Sequence, residues 1–111
     1  MATILISEAD RDVRRLLTVL VRRLGHEPVV LDEDVEVPPR GDLLLVDPSS
    51  TGPRERARAV RAAQPDVPVI CMNCVDEHGR FLLDGPFDYL PKPFTVEQMR
   101  DRLAHALRSP V

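Results

Sequence analysis

Apolar positions along the chain follow two periods that change over abruptly. Leu43-Leu44-Leu45-Val46 is an unbroken branched apolar run closed by Asp47. Such a run suits a strand buried on both faces, as in a parallel sheet covered by helices on either side. Thr3 to Ile6, His26 to Leu31, Val67 to Met72 and Phe87 to Leu90 predict four further strands. Between the first two the period lengthens, because Val13, Leu16, Leu17, Leu20 and Leu24 recur at helical spacing while Arg11, Arg14, Arg15, Arg22 and Arg23 fall mostly on other faces. Asp10 is placed as the N-cap of that helix and Gly25 as its left-handed stop. A shorter helix runs from Arg54 to Gln64, with Pro53 at its first position and Ala57, Val60 and Ala63 towards the core. Thr95-Val96-Glu97-Gln98 is a capping box that opens a last helix on Val96, Met99, Leu103 and Leu107, ending at Ser109.

Two connections break the alternation. Asp32 to Asp42 is eleven residues long with five acids and Pro38-Pro39, so no amphipathic helix can be read there. A parallel crossover normally needs a dozen or more residues and a helix, which predicts a loop or a single turn, its acids forming a solvated face. After the polar tract Asn73 to Arg80, Phe81-Leu82-Leu83 leaves room for two helical turns before Gly85-Pro86. The pattern predicts one α/β domain over residues 1–111, a doubly wound, five-stranded parallel sheet with right-handed crossovers and a second helix reduced or absent. Without that helix Val29, Val30 or Leu43 is expected to be partly exposed, a patch for partner binding or for a homodimer.

Composition narrows the class. With 43% hydrophobic and 30% charged residues the chain reads as a soluble globular domain. It has no run near the ~20 apolar residues of a membrane span, and no signal peptide precedes Ile4, which predicts a cytoplasmic protein with no membrane contact. A formal charge of −3 gives no electrostatic reason for nucleic-acid binding. Of the fifteen basic residues only Lys92 is lysine, so a compact ammonium is singled out where every other cation is a guanidinium. Cys71-Met72-Asn73-Cys74 with His78 nearby reads as ordinary buried cysteine, because Cys71 lies in a strand and zinc would need more ligands.

The chemistry gathers at strand ends, the side on which open α/β sheets bind ligands. Asp47 ends the third strand, Ser7-Glu8-Ala9-Asp10 follows the first, and Asp88-Tyr89-Leu90 leads into Pro91-Lys92-Pro93-Phe94 after the fifth. Phosphoryl transfer needs an oxygen nucleophile, a divalent cation and a fixed positive charge, which Asp47, the acids after the first strand and Lys92 are suited to supply or hold. The alternative is an ion-paired strand-end cluster with no turnover.

In order and separation these residues resemble a response-regulator receiver domain, the phospho-accepting module of two-component signalling, over essentially the whole length. The resemblance implies a flavodoxin-like receiver fold. It makes Asp47 the acceptor of a phosphoryl group from a histidine kinase or phosphotransfer protein, and Tyr89 the switch aromatic three residues before Lys92. It also implies Mg²⁺ held by Glu8, Asp47 and the Ser49 backbone carbonyl, and a cis Lys92–Pro93 bond in the Lys-Pro-Phe motif. Such a module is no enzyme beyond phosphoryl transfer to, and hydrolysis from, its own Asp47, and it signals to a downstream protein. Three departures stand out. Ala9 occupies the place of a second metal-binding acid, with Asp10 one residue further on as the only substitute, so Mg²⁺ binding is expected to be weak. Asn73, followed by Cys74, replaces the serine or threonine of the family at the end of the fourth strand. The segments after the second, third and fourth strands are short. A phosphorylation-independent pseudo-receiver that binds partners constitutively is therefore the second expectation. A DNA-binding output is not expected within this chain.

Overall fold

Five parallel strands in the order β2-β1-β3-β4-β5 form the centre of the computed structural model, which describes residues 1–33 and 36–108. They are β1 (Thr3–Ser7), β2 (Glu27–Val30), β3 (Leu43–Val46), β4 (Val69–Cys71) and β5 (Asp88–Tyr89), with helices α1 (Arg11–Arg23), α2 (Thr51–Ala63) and α3 (Val96–Arg108). Central β3 pairs with β1 through Ile4↔Leu43 and with β4 through Leu44↔Val69. Because strand side chains alternate, Ile4, Ile6, Leu43, Leu45 and Ile70 meet Leu17, Leu20 and Val21 of α1 and Met99 and Leu103 of α3. Leu5, Leu44, Val46, Val69 and Cys71 meet Ala57 and Val60 of α2 on the other side. Both faces are covered, which is why the strands are continuously apolar. Each fully buried leucine or isoleucine stabilises the fold by roughly 1.5–3 kcal/mol.

The helices follow their caps. Asp10 accepts from the N–H groups of Asp12 at 2.9 Å and Val13 at 3.1 Å, and Gly25 has φ +89°. Leu16, expected in the core, is 60% exposed, since Leu17, Leu20 and Val21 define the buried stripe. In α2 the first turn begins at Thr51, two residues before Pro53, which is tolerated because N–H groups of a first turn lack intrahelical partners. Ala63, also expected inside, is exposed at the helix end. Thr95 and Gln98 form the capping box of α3 reciprocally, at 2.8 and 3.1 Å. The end expected at Ser109 lies outside the described residues.

Two crossovers carry no helix among the described residues. Between β2 and β3 a loop does the covering, because Gly41 lies directly on Leu5, where a Cβ would come within 2.9 Å of both methyl groups. Gln64 fixes this loop by accepting from the Gly41 N–H and donating to the Pro39 carbonyl, each at 3.0 Å, and the Thr3 N–H donates to Asp42 Oδ2 at 2.7 Å. The expected apolar opening is therefore small. Leu43 is fully buried because it faces the α1 side, Val29 is half-buried, and only Val30, 36% exposed at the sheet edge, remains of it. Glu27 and Leu31 donate their N–H groups inward to β1, so Pro28 lies with its nitrogen on the outer edge and offers no donor there.

The helical turns expected around Phe81-Leu82-Leu83 do not form either. Asp76 Oδ1 accepts from the N–H groups of His78 and Arg80 at 2.8 and 2.9 Å, Gly79 has φ +76°, and Val75 bridges Phe81 antiparallel. That turn outcompetes a helix too short to stand on its own propensity. The Arg61 guanidinium of α2 donates to the carbonyls of Asp84 and Pro86 and ties the segment to that helix. No helix among the described residues is long and apolar enough to cross a membrane.

Candidate functional site

The sheet register brings the strand ends level. The Asp47 N–H donates to the Ser7 carbonyl at 2.9 Å and the Met72 N–H to the Val46 carbonyl at 2.8 Å, so the residues following β1, β3 and β4 emerge side by side. Ser7, fully buried, donates through Oγ to the Pro53 carbonyl at 2.9 Å and ties this edge to the start of α2. After β5 the chain passes Leu90 and Pro91 to a cis Lys92–Pro93 bond, and Phe94 packs half-buried on the α1 and α3 core. Lys92 Nζ lies over the strand ends, in reach of Glu8 and Asp47.

Glu8 and Asp47 are each 3% exposed. Lys92 Nζ donates to Asp47 Oδ2 at 2.6 Å and also to Glu8 Oε1. Asn73 Nδ2 donates to the same Asp47 oxygen at 3.2 Å, and the Ser49 N–H donates to Asp47 Oδ1 at 2.9 Å. The remaining oxygen, Glu8 Oε2, accepts from the Ala9 N–H at 2.9 Å. Every oxygen of the two buried carboxylates has a donor.

The electrostatics follow from this arrangement. Burial pushes the Asp47 carboxyl up, but hydrogen bonds from Lys92 and Ser49 and the ammonium charge outweigh it and hold the group below its ordinary value. Burial likewise favours neutral Lys92, yet Asp47 and Glu8 together keep its ammonium charged above its ordinary range. Two carboxylate oxygens sharing one nitrogen lie at most about 5 Å apart, a separation costing about 3 kcal/mol of repulsion at an effective dielectric near 20. Lys92 offsets that cost.

Of the residues expected at this site, Asp47, Glu8, Lys92 and Asn73 converge. Ser49 joins through its N–H, which reaches Asp47, and Asn73 takes the left-handed conformation, φ 51°, that asparagine tolerates. Asp10 does not join, because its carboxylate is spent on capping α1. Tyr89 points outward, 43% exposed, beside the apolar hollow lined by Val75, Phe81, Pro86 and Phe87. Cys71 and Cys74 are free and buried, and burial first, then Cys74, raises the Cys71 thiol far above its reactive range. Among the described residues no three His, Cys, Asp or Glu side chains group as metal ligands. Ser7 and the Ala9 N–H escaped the sequence. The first shows only as a polar residue completing a buried strand, and the second has no side-chain signature.

No family model matches the chain. Among solved structures it is similar to the receiver domain of the sensor histidine kinase PA1611 of Pseudomonas aeruginosa PAO1, with TM-score 0.78, 21% identity, and 97% of this chain and 98% of that one covered. The chemotaxis protein CheY4 of Vibrio cholerae gives TM-score 0.77 at 20% identity, covering 96% and 99%. The chain has the response-regulator receiver fold. The chain is 30% identical to the DNA-binding transcriptional regulator NtrC of Azospirillum brasilense, over 97% of its own length and 24% of the relative's. It is 27% identical to NtrC of Rhizobium meliloti (strain 1021), over 98% and 25%. The chain thus spans about a quarter of the length of the curated relatives it matches.

Proposed function

We propose that this receiver domain serves two-component signalling in the cytoplasm by accepting a phosphoryl group on Asp47 from a histidine kinase or phosphotransfer protein, and that it passes the signal to a downstream protein. The observation that carries the reading is a buried, ionised carboxylate at the end of the central strand, held by the only lysine of the chain. An Asp47 oxygen attacks phosphorus, the bond from phosphorus to the donor breaks, and the departing group keeps the electron pair. Lys92 and the Asn73 amide, both already at Oδ2, stabilise the charge on the phosphoryl oxygens. A donor protein can approach over the outward face of α1, where Leu16 and Val19 are exposed beside Arg15, Arg22 and Arg23. The chemistry is confined to the domain's own Asp47; it is not an enzyme acting on other molecules.

The receiver domain of PA1611 has a magnesium ion coordinated in its active-site cleft. The residues arranged here do not fit that ion. Mg²⁺ needs near-octahedral oxygen ligands, whereas Ala9 offers no oxygen from its side chain, Asp10 caps a helix, and among the described residues no three His, Cys, Asp or Glu side chains group as ligands. No step above is therefore routed through a metal.

The same gap in the ligand set, at Ala9 and Asp10, favours a second reading, a pseudo-receiver that binds partners without phosphorylation. Incubation with acetyl phosphate or phosphoramidate, read by intact mass, separates the two. Phosphoryl acceptance predicts a single phosphoryl adduct on the wild-type chain, labile to hydroxylamine and absent from Asp47→Asn. No adduct under any donor would leave the pseudo-receiver reading standing.

A further inference from the structure

Three of the four aromatic side chains of the chain, Phe81, Phe87 and Tyr89, line one hollow of about 590 Å³ beside β5. A space of that size suits a small molecule. It exists because the connection from β4 to β5 closes into a turn, so that Phe81 is left 72% exposed instead of packing inward. The walls are fixed before anything binds. Val75 bridges Phe81, the Leu82 N–H donates to the Cys74 carbonyl at 2.8 Å, and the Arg61 guanidinium holds the carbonyls of Asp84 and Pro86. Phe81 and Phe87 stand at 70° to one another with centroids 5.9 Å apart, so they form two adjoining walls and not a closed stack. Cys74 and Leu83, both buried, form the floor.

The chemistry of the lining is one-sided. Aromatic faces are the negative side of a quadrupole, and the one charged side chain on the hollow is the Asp84 carboxylate. In a chain with fourteen arginines, no basic side chain lines it among the described residues. Arg61 is within electrostatic reach of Asp84, but its guanidinium is engaged by the two carbonyls. An anionic guest would meet a carboxylate and ring faces of like sign, and a purely apolar guest would leave the carboxylate unused. We infer that this hollow is a binding site for a small organic cation with an apolar body, such as a quaternary ammonium, whose charge sits against the rings of Phe81, Phe87 and Tyr89 and next to Asp84. The rings share the cation, and covering the open surface of Phe81 adds an apolar contribution. This holds whether or not Asp47 accepts a phosphoryl group.

The test titrates the isotope-labelled full chain with benzyltrimethylammonium chloride and follows its amide signals, with benzyl alcohol as the neutral counterpart and benzenesulfonate as the anionic one. The cation is expected to give saturable shifts centred on Cys74, Val75, Leu83, Phe87 and Tyr89, and the other two probes to bind about tenfold more weakly or not at all. Phe81→Leu keeps an apolar side chain but loses the ring, and Asp84→Asn keeps the shape but loses the charge; each should weaken the cation about fivefold. Both residues are exposed, so both variants should keep the wild-type spectrum elsewhere, and should Phe81→Leu fail to fold, Asp84→Asn carries the test. A peptide bearing trimethyllysine should bind no more tightly than the free cation. The inference is overturned if the cation gives no saturable shifts, if benzyl alcohol or benzenesulfonate binds as tightly, or if the folded variants bind the cation as the wild type does. Tighter binding of the peptide would make the occupant a protein segment and overturn it equally.

Discussion

Asp47 stays ionised because Lys92 and Ser49 outweigh a burial that opposes the charge, and Lys92 stays charged for the reciprocal reason. The signs fix how stability depends on pH. Asp47, with its folded value below the ordinary 3.8, contributes stability that is complete above that value and is lost as pH falls through the folded one. Lys92, with its folded value above the ordinary 10.5, contributes stability that is complete below that value and is lost as pH rises through the folded one. Thermal midpoints measured across pH should accordingly lie on a plateau bounded by an acid and an alkaline limb. Asp47→Asn should flatten both limbs, because it removes one titrating group and half the charge facing the other; an unchanged alkaline limb would refute the coupling. Ala9→Asp should strengthen Mg²⁺ binding and raise labelling at Asp47, since it adds a side-chain oxygen next to Glu8 at a residue whose N–H already reaches that carboxylate. Equal Mg²⁺ affinity of the two proteins would show that another group has taken that place. Asp47, Glu8 and Lys92 were legible as residues because acids and a lone lysine at strand ends are unusual. The donors from Ser49 and Ala9 were not, because backbone N–H groups leave no mark in a sequence.

At the level of elements, caps were more legible than crossovers. Asp10 with Gly25, and Thr95 with Gln98, carry short-range chemistry that acts within one turn, and both helices appear where that chemistry places them. The start of α2 lies earlier than Pro53 predicts because proline suits any first-turn position, and the turns expected around Phe81 give way because Asp76 and Gly79 stabilise a competing turn. The loop replacing a helix between β2 and β3 hides its reason in tertiary structure, since only contact with Leu5 explains Gly41. Gly41→Ala should therefore cost about 1–3 kcal/mol, as in overpacked cores. Urea unfolding should show a lowered midpoint with an unchanged slope. Wild-type stability in that variant would mean that the loop yields freely and does not act as the cover of Leu5.

For the molecule as a whole, the two sides of the sheet are covered by different means. One carries α1 and α3, the other α2 and two short connections pinned by Gln64 and Arg61. The doubly wound class was legible from five apolar runs, but exposure of the open side was overestimated, since Leu43 faces the other layer. With only Val30 left at an edge blunted by Pro28, sedimentation velocity should give a monomer at micromolar concentration; a stable dimer, weakened by Val30→Lys, would contradict that. The central claim, a phosphoryl-accepting Asp47 served by Lys92, is tested most directly by titrating the isotope-labelled chain with beryllofluoride, a phosphoryl mimic, and following its amide signals. The account predicts saturable shifts centred on Asp47, Ser49, Asn73 and Lys92 that vanish in Asp47→Asn. An unresponsive wild type, or the same shifts in Asp47→Asn, would contradict it.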